Sequence, residues 1–292
     1  MTATTPELVD PVPAGADPGR TADRTRGRGT RAAAGRRVAI RVAAIGGLVL
    51  AWWAVTALEI WPELIVPRPG SVWQRFVESV TTHDGVRGLE GHYLWEHLAA
   101  SGKRLVLGVG AAIVIGVPIG LAMATVRPIR TATEPLLNFV RSLPPLAYFA
   151  LLIIWFGIED TSKVWLLFLA AVAPIALSVV AGAESIRAEW FDAARSQGAS
   201  RLQVVRHLVV PAVRPELFTG IRLAVGFAFT TIVAAETVNG IPGIGGLAWS
   251  TKKFNQTDIA VLCVIVIGLC AVAIDQIIRA IERRAVPWKG RA

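Results

Sequence analysis

Six apolar stretches run at approximately 39–58, 104–125, 136–157, 164–183, 217–238 and 259–280. Each is close to the ~20 residues that a helix needs to cross a bilayer. Lipid offers backbone N–H and C=O groups no water to bond, so segments of this kind have to be helical. The fold class that follows is an all-α membrane protein with six transmembrane helices. Only 17% of the 292 residues are charged, where a soluble domain carries about a quarter. The first stretch ends in a belt of Trp52, Trp53 and Trp61, which suits a membrane interface.

The net charge of +9 does not mark a nucleic-acid binder, because the bases gather at the ends of apolar stretches, where they set topology. With the N-terminus inside, the cytoplasmic parts are 1–38, 126–135, 184–216 and 281–292. They hold Arg127 and Arg130, then Arg187, Arg195, Arg201, Arg206 and Arg214, then Arg283, Arg284, Lys289 and Arg291. Both termini are therefore expected on the cytoplasmic side of the membrane. Region 59–103 carries more acids than bases and is expected outside. Lys103 and Arg104 run against the pattern at the outer start of the second stretch and are expected to snorkel to the headgroups.

The domain reading follows the same landmarks. Residues 1–38 form a tail rich in Pro, Gly, Ala, Thr and Arg, a composition that cannot bury enough surface to order itself. Its arginine cluster precedes an apolar run with no convincing small-residue cleavage site, so 39–58 is an anchoring first helix. Region 59–103 is an extracytoplasmic loop with a short amphipathic helix from Val72 to Val80, capped by Ser71. Residues 104–283 are the transmembrane core, and 284–292 a cytoplasmic tail. Pro118, Pro144-Pro145 and Pro174 interrupt core stretches, which a membrane tolerates where neighbouring helices satisfy the freed groups. Gly108, Gly110, Gly116 and Gly120 form a ridge that permits close helix approach. Cys263 and Cys270 lie about 10 Å apart along one helix, too far for a disulfide. No cluster of metal ligands and no cofactor motif is present.

Between the fourth and fifth stretches lies a polar hairpin, 184–216. Ile186, Trp190 and Ala194 share one helical face. Gly198 sits where a helix ends in the left-handed conformation. Ser200 and Gln203 then fit a capping box that starts a second helix, and Pro211 and Pro215 are expected to stop it. Three residues separate Asp192, Ala193 and Ala194 from Gly198, and nine more separate the glycine from Leu208, Val210 and Pro211. This pattern resembles the EAA loop of the permease subunits of ABC-type importers, with Asp192 in place of the usual Glu. The resemblance extends over roughly 60–290. It is nearest the branch that handles taurine, alkanesulfonates and nitrate, and nearest taurine permeases in the runs Leu94 to Ser101, Pro144 to Tyr148 and Ile154 to Ile158.

The resemblance implies a cytoplasmic coupling hairpin that docks into an ATPase through Asp192, Ala193, Ala194, Gly198, Leu208, Val210 and Pro211. It implies two separate ATP-binding subunits, an external substrate-binding protein and a second copy of the chain, with a homodimer the simple arrangement. No Gly-x-x-x-x-Gly-Lys-Ser/Thr loop is present to cradle nucleotide phosphates, so this chain is expected not to be an enzyme. A secondary transporter is the rival reading, but it would more often show internal repeats. Three ionisable residues lie within apolar stretches: Arg141, Arg222 and Glu236. Buried charges in a membrane face an interior or pair with one another. Glu236 and Arg141 are the candidate pathway groups, one fixed anion and one fixed cation for a small zwitterion. Arg222 is expected to snorkel, and Asp275 to brace a helix interface.

Overall fold

The computed structural model describes residues 42–83 and 85–288, together with Arg36, Ala39 and Ile40, the side chains at 253 and 254 excepted. The expected N-terminal tail, Arg36 apart, and residues 289–292 lie outside the described residues. The chain divides into two units, Met1–Ile60 and Trp61–Ala292. The described part of the first is an apolar helix, α1 (Val42–Ala57). In it the Thr56 hydroxyl donates to the carbonyls of Trp52 and Trp53 at 3.2 and 2.9 Å.

The second unit begins with α2 (Pro69–Val80) and a small antiparallel pair, β1 (Thr82–His83) and β2 (Val86–Arg87). The helices α3 (Leu94–Thr125), α4 (Arg127–Ser142), α5 (Pro145–Phe156) and α6 (Asp160–Glu184) follow. Next come α7 (Ala188–Ser196), α8 (Arg201–Val204), a π turn (Val205–Val209), α9 (Val210–Asn239), α10 (Ile244–Phe254) and α11 (Thr257–Ala285). Among the described residues four helical runs are long and apolar enough to cross a membrane: α3, α6, the continuous run Arg201–Asn239, and α11.

The third expected stretch, 136–157, is not one straight span, because α4 and α5 meet at 99°. The cause is the proline pair. A proline disfavours helical backbone in the residue before it, and here that acts twice. Leu143 is held at φ −77°, ψ 131° and Pro144 at φ −59°, ψ 125°. Counted as one span the bent pair gives five, and α1 is a further, shorter apolar helix. Single prolines do not break their helices: Pro118, Pro135, Pro174 and Pro215 all lie inside continuous helix.

Helix α6 is the axis of the core, with α3 on one flank and α9 on another. Leu105, Val109 and Ala112 of α3 meet Leu167, Ala171 and Ile175 of α6, and Ala224, Ala228 and Ile232 of α9 complete the cluster. The glycine ridge explains the closeness of α3 to α6. A Cβ at Gly108 would lie 2.5 Å from the Leu167 Cβ, and one at Gly120 would lie 2.6 Å from the Ala176 carbonyl oxygen. Gly110 does not belong to the ridge, since nothing lies within 4 Å of where its Cβ would be. It sits about 200° around the helix from Gly108.

Two boundary expectations change. The amphipathic helix α2 starts earlier than Val72, with Pro69 in its first turn and Arg68 at its N-cap. Ser71 is already helical and donates its hydroxyl back to the Arg68 carbonyl at 2.8 Å. Proline at a helix start wastes no donor, which is why Pro69 rather than Ser71 sets the boundary. The region 59–103 is also not all loop, because α3 begins at Leu94. Helix α2 is tied to the start of α11 through Arg75 Nε and Asp258 Oδ2, 2.6 Å apart.

Candidate functional site

Two polar constructions stand out against the apolar helices. The first is the hairpin. Helix α7 ends in a Schellman arrangement. Gly198, at φ +75°, donates its N–H to the Arg195 carbonyl at 2.9 Å, and Ala199 donates to the Ala194 carbonyl at 3.1 Å. Ser200 then closes a capping box: its N–H donates to Gln203 Oε1 at 2.7 Å, and its hydroxyl oxygen accepts the Gln203 N–H at 3.3 Å. The corner and the second helix are as the residues predict.

The expected stop is not. Pro211 opens α9 and Pro215 lies within it, so the hairpin's second helix runs on as one rod from Arg201 to Asn239. The π turn makes this possible. Val210 donates its N–H to the Val205 carbonyl, five residues back, so the widened turn ends directly before the residue that has no N–H to give.

On the hairpin Asp192 and Ala193 are exposed, and Arg195 Nη1 lies 3.5 Å from Asp192 Oδ1. Trp190 and Leu202 are 50% and 76% exposed, two large apolar side chains uncovered on a polar element. Leu208, Val210 and Pro211 are half-buried, and Val209 and Val213 anchor the base of the rod against Val179 of α6. A cleft of about 820 Å³ separates the hairpin from the ends of α3 and α6, with Thr125, Arg130, Glu184, Phe191 and Leu202 on its walls. Arg130 is fixed there by Glu184 and Glu134, at 2.6 and 2.8 Å.

The second construction lies at the other end of the rod. Glu236 is fully buried. Its carboxylate accepts from Ser101 Oγ at 2.8 Å, Arg104 Nη1 at 2.6 Å and the Gly245 N–H at 3.0 Å. Arg104 does not snorkel. It is 5% exposed and also binds Asp160 Oδ1 at 2.6 Å and the Pro242 carbonyl at 3.0 Å. Pairing two buried charges and filling their remaining hydrogen-bond sites is the condition under which such a pair is tolerated. Lys163, also buried, donates to the carbonyls of Asn239 and of Ile158, the latter at 3.5 Å.

Arg141 stands apart from this cluster. It is exposed at the end of α4 and has no ion pair among the described residues, so Glu236 and Arg141 are not brought together. Arg222 does not snorkel either: it pairs with Glu282 and lies 3.4 Å from Asp275. Cys263 and Cys270 are both free thiols.

Sequence reasoning missed His97, Ser101, Asp160, Lys163 and the glycines of the loop before α10. One signal was available. His97, Ser101 and Arg104 recur at i, i+4 and i+7, a polar stripe along one face of α3.

The profile described as "Binding-protein-dependent transport system inner membrane component" matches residues 116–287. The chain belongs to this family. It is a multi-pass membrane protein, the permease subunit of a binding-protein-dependent ABC-type transport system. The taurine transport system permease protein TauC of Escherichia coli is 37% identical over 255 residues, covering 87% of this chain and 91% of TauC. The putative aliphatic sulfonates transport permease protein SsuC of the same organism is 29% identical, covering 83% and 89%. The bicarbonate transport system permease protein CmpB of Synechococcus elongatus is 30% identical, covering 67% and 70%. Among solved structures, an inward-facing MetNI methionine ABC transporter aligns over 64% of this chain and 96% of its own, with a TM-score of 0.53 at 21% identity. That likeness supports the permease fold.

Proposed function

We propose that this chain is the membrane-spanning subunit of an ATP-driven importer for taurine or a closely related small sulfonate. The observation that carries the cargo is the 37% identity across 91% of a taurine permease. Nitrate, bicarbonate or another small organic solute is the alternative, since relatives named for sulfonates and bicarbonate stand at 29% and 30%. An external binding protein delivers the cargo, two separate ATPase subunits supply the energy, and a second copy of the chain completes the membrane part. Both termini and the hairpin face the cytoplasm, as the distribution of Arg and Lys favours.

In this reading Asp192, Ala193, Ala194 and Gly198 present the hairpin to an ATPase, and Leu208, Val210 and Pro211 join it to the rod. The exposure of Trp190 and Leu202 supports a docking role, because burying two such side chains against a partner is favourable. Arg141, exposed beside the bend between α4 and α5, is the candidate cation on the pathway. Glu236, the anion expected beside it, is instead enclosed by Ser101, Arg104 and the Gly245 N–H, and we assign it to the closed end of the rod rather than to the cargo.

The test is uptake into proteoliposomes holding the complex, with ATP inside and binding protein outside, using labelled taurine, an alkanesulfonate, nitrate and bicarbonate. Saturable, ATP-dependent taurine uptake is expected. Uptake of nitrate or bicarbonate alone would replace the cargo, and accumulation without ATP would replace the importer by a secondary transporter.

A further inference from the structure

The four residues that lead into α10 are each held by a different side chain. The Pro242 carbonyl accepts from Arg104 at 3.0 Å, and the Gly243 N–H donates to His97 Nδ1 at 3.1 Å. The Ile244 N–H donates to Ser101 Oγ at 3.0 Å, and the Gly245 N–H to a Glu236 oxygen at 3.0 Å. The last two donors belong to the first turn of α10, which has no intrahelical partner for them. His97 Nε2 faces the Leu89 carbonyl at 3.3 Å, and Nδ1 also lies 3.1 Å from the Gly243 carbonyl oxygen; a ring protonated at Nε2 donates to Leu89 and accepts the Gly243 N–H, leaving only the Gly243 carbonyl without a donor from the ring. Three of the four side chains come from α3 and one from α9.

Helix α9 is also the hairpin's own continuation. The run Arg201–Asn239 is 39 residues of continuous helix, roughly 58 Å at 1.5 Å per residue. One end carries the hairpin and the other carries Glu236. A tilt of this rod at the hairpin therefore moves Glu236 against Ser101 and Arg104, which are fixed on α3. The contacts at that end resist gradual change, because a buried carboxylate and guanidinium are either paired or left uncompensated.

We infer that His97, Ser101, Arg104 and Glu236 form a latch that seats α10 on α3, and that movement of the α9 rod releases it during transport. Glu236 and Arg104 are then positioning residues for α10 rather than groups that bind cargo. The inference rests on the importer reading for its role in transport, but the latch itself is a property of this chain alone.

The experiment compares Ser101→Ala and Glu236→Gln with the unaltered protein in lipid nanodiscs. Hydrogen exchange is followed peptide by peptide, and ATP hydrolysis is measured in the complex with binding protein and taurine. Exchange over 240–254 is expected to rise about tenfold in both variants, with α6 and the middle of α3 unchanged. Basal hydrolysis is expected to persist and its stimulation by taurine-loaded binding protein to fall about fivefold or more, as one lost buried contact implies. Unchanged exchange over 240–254 in both variants would overturn the latch. Faster exchange with full stimulation would overturn its part in transport and leave a structural brace. Should Glu236→Gln fail to fold, Ser101→Ala, which deletes one hydroxyl, decides alone. Failure of taurine to stimulate the unaltered complex counts against the cargo, not against the latch, because the exchange rates do not depend on cargo.

Discussion

Gly243 measures how little space the cradle leaves. A Cβ there would lie 2.2 Å from the Gly240 carbonyl oxygen, 2.7 Å from the Glu236 carboxyl carbon and 2.9 Å from Arg104 Nη1. Gly243→Ala should therefore destabilise the protein by about 1–3 kcal/mol, the usual cost of forcing a methyl into packed surroundings. Gly110→Ala meets open space and adds helix propensity, so it should be neutral or mildly stabilising. Thermal unfolding of both purified variants checks this, and equal midpoints would contradict the close approach. At this scale the sequence showed the anomalies but not their resolution. Arg104 is visible as a base on the wrong side of the charge pattern. Its partners are not, because Asp160 and Glu236 lie on α6 and α9 and only the fold brings them to it. Arg222 has the same history with Glu282. Snorkelling is the default for a lone charge near a helix end, and a tertiary partner displaces it.

Among the elements, the long apolar helices were legible from hydropathy, and the corner at Gly198 from its residues. Hydropathy places the apolar centre of a helix and is silent on amphipathic ends. For that reason α3 starts at Leu94, through a turn holding Trp95 and Glu96 that reads as polar loop. The prolines were only partly legible. Pro144-Pro145 breaks its segment as adjacent prolines should, whereas Pro211 and Pro215 leave a continuous rod. A proline removes one donor and crowds one carbonyl, and the π turn at Val205–Val209 absorbs that defect before Pro211. A sequence rule that scores proline as a stop cannot see this remedy, because the shift from i−4 to i−5 bonding leaves no mark on the residues; beside it Val209 and Val213 pack on Val179. The consequence is mechanical: with a stop, the hairpin would hang from a flexible joint, whereas a continuous rod would carry a displacement of the hairpin into α9.

For the whole molecule, the proposed sidedness and the proposed coupling stand together, since an ATPase would reach the hairpin only from the cytoplasm. Single cysteines in place of Arg201 and His92 should react with an impermeant thiol reagent from opposite sides of the membrane, and reaction of both from outside would contradict the orientation. We propose that the hairpin passes the energy of ATP hydrolysis to the membrane helices. Gly198 is its most exposed test. At φ +75° with nothing within 4 Å of a Cβ, a side chain there costs about 1–2 kcal/mol of left-handed strain, and its first carbon meets open space. The spans should therefore still insert. An aspartate would nevertheless add bulk and charge at the corner facing a docked partner, while Asp192→Glu restores the usual family residue and should be silent. The deciding measurement is ATP hydrolysis by the reconstituted complex of Gly198→Asp, with and without loaded binding protein, beside recovery of the ATPase on the purified permease. Normal membrane insertion with weakened ATPase recovery and no stimulation is the expected result; full stimulation in Gly198→Asp would contradict the coupling role of the hairpin.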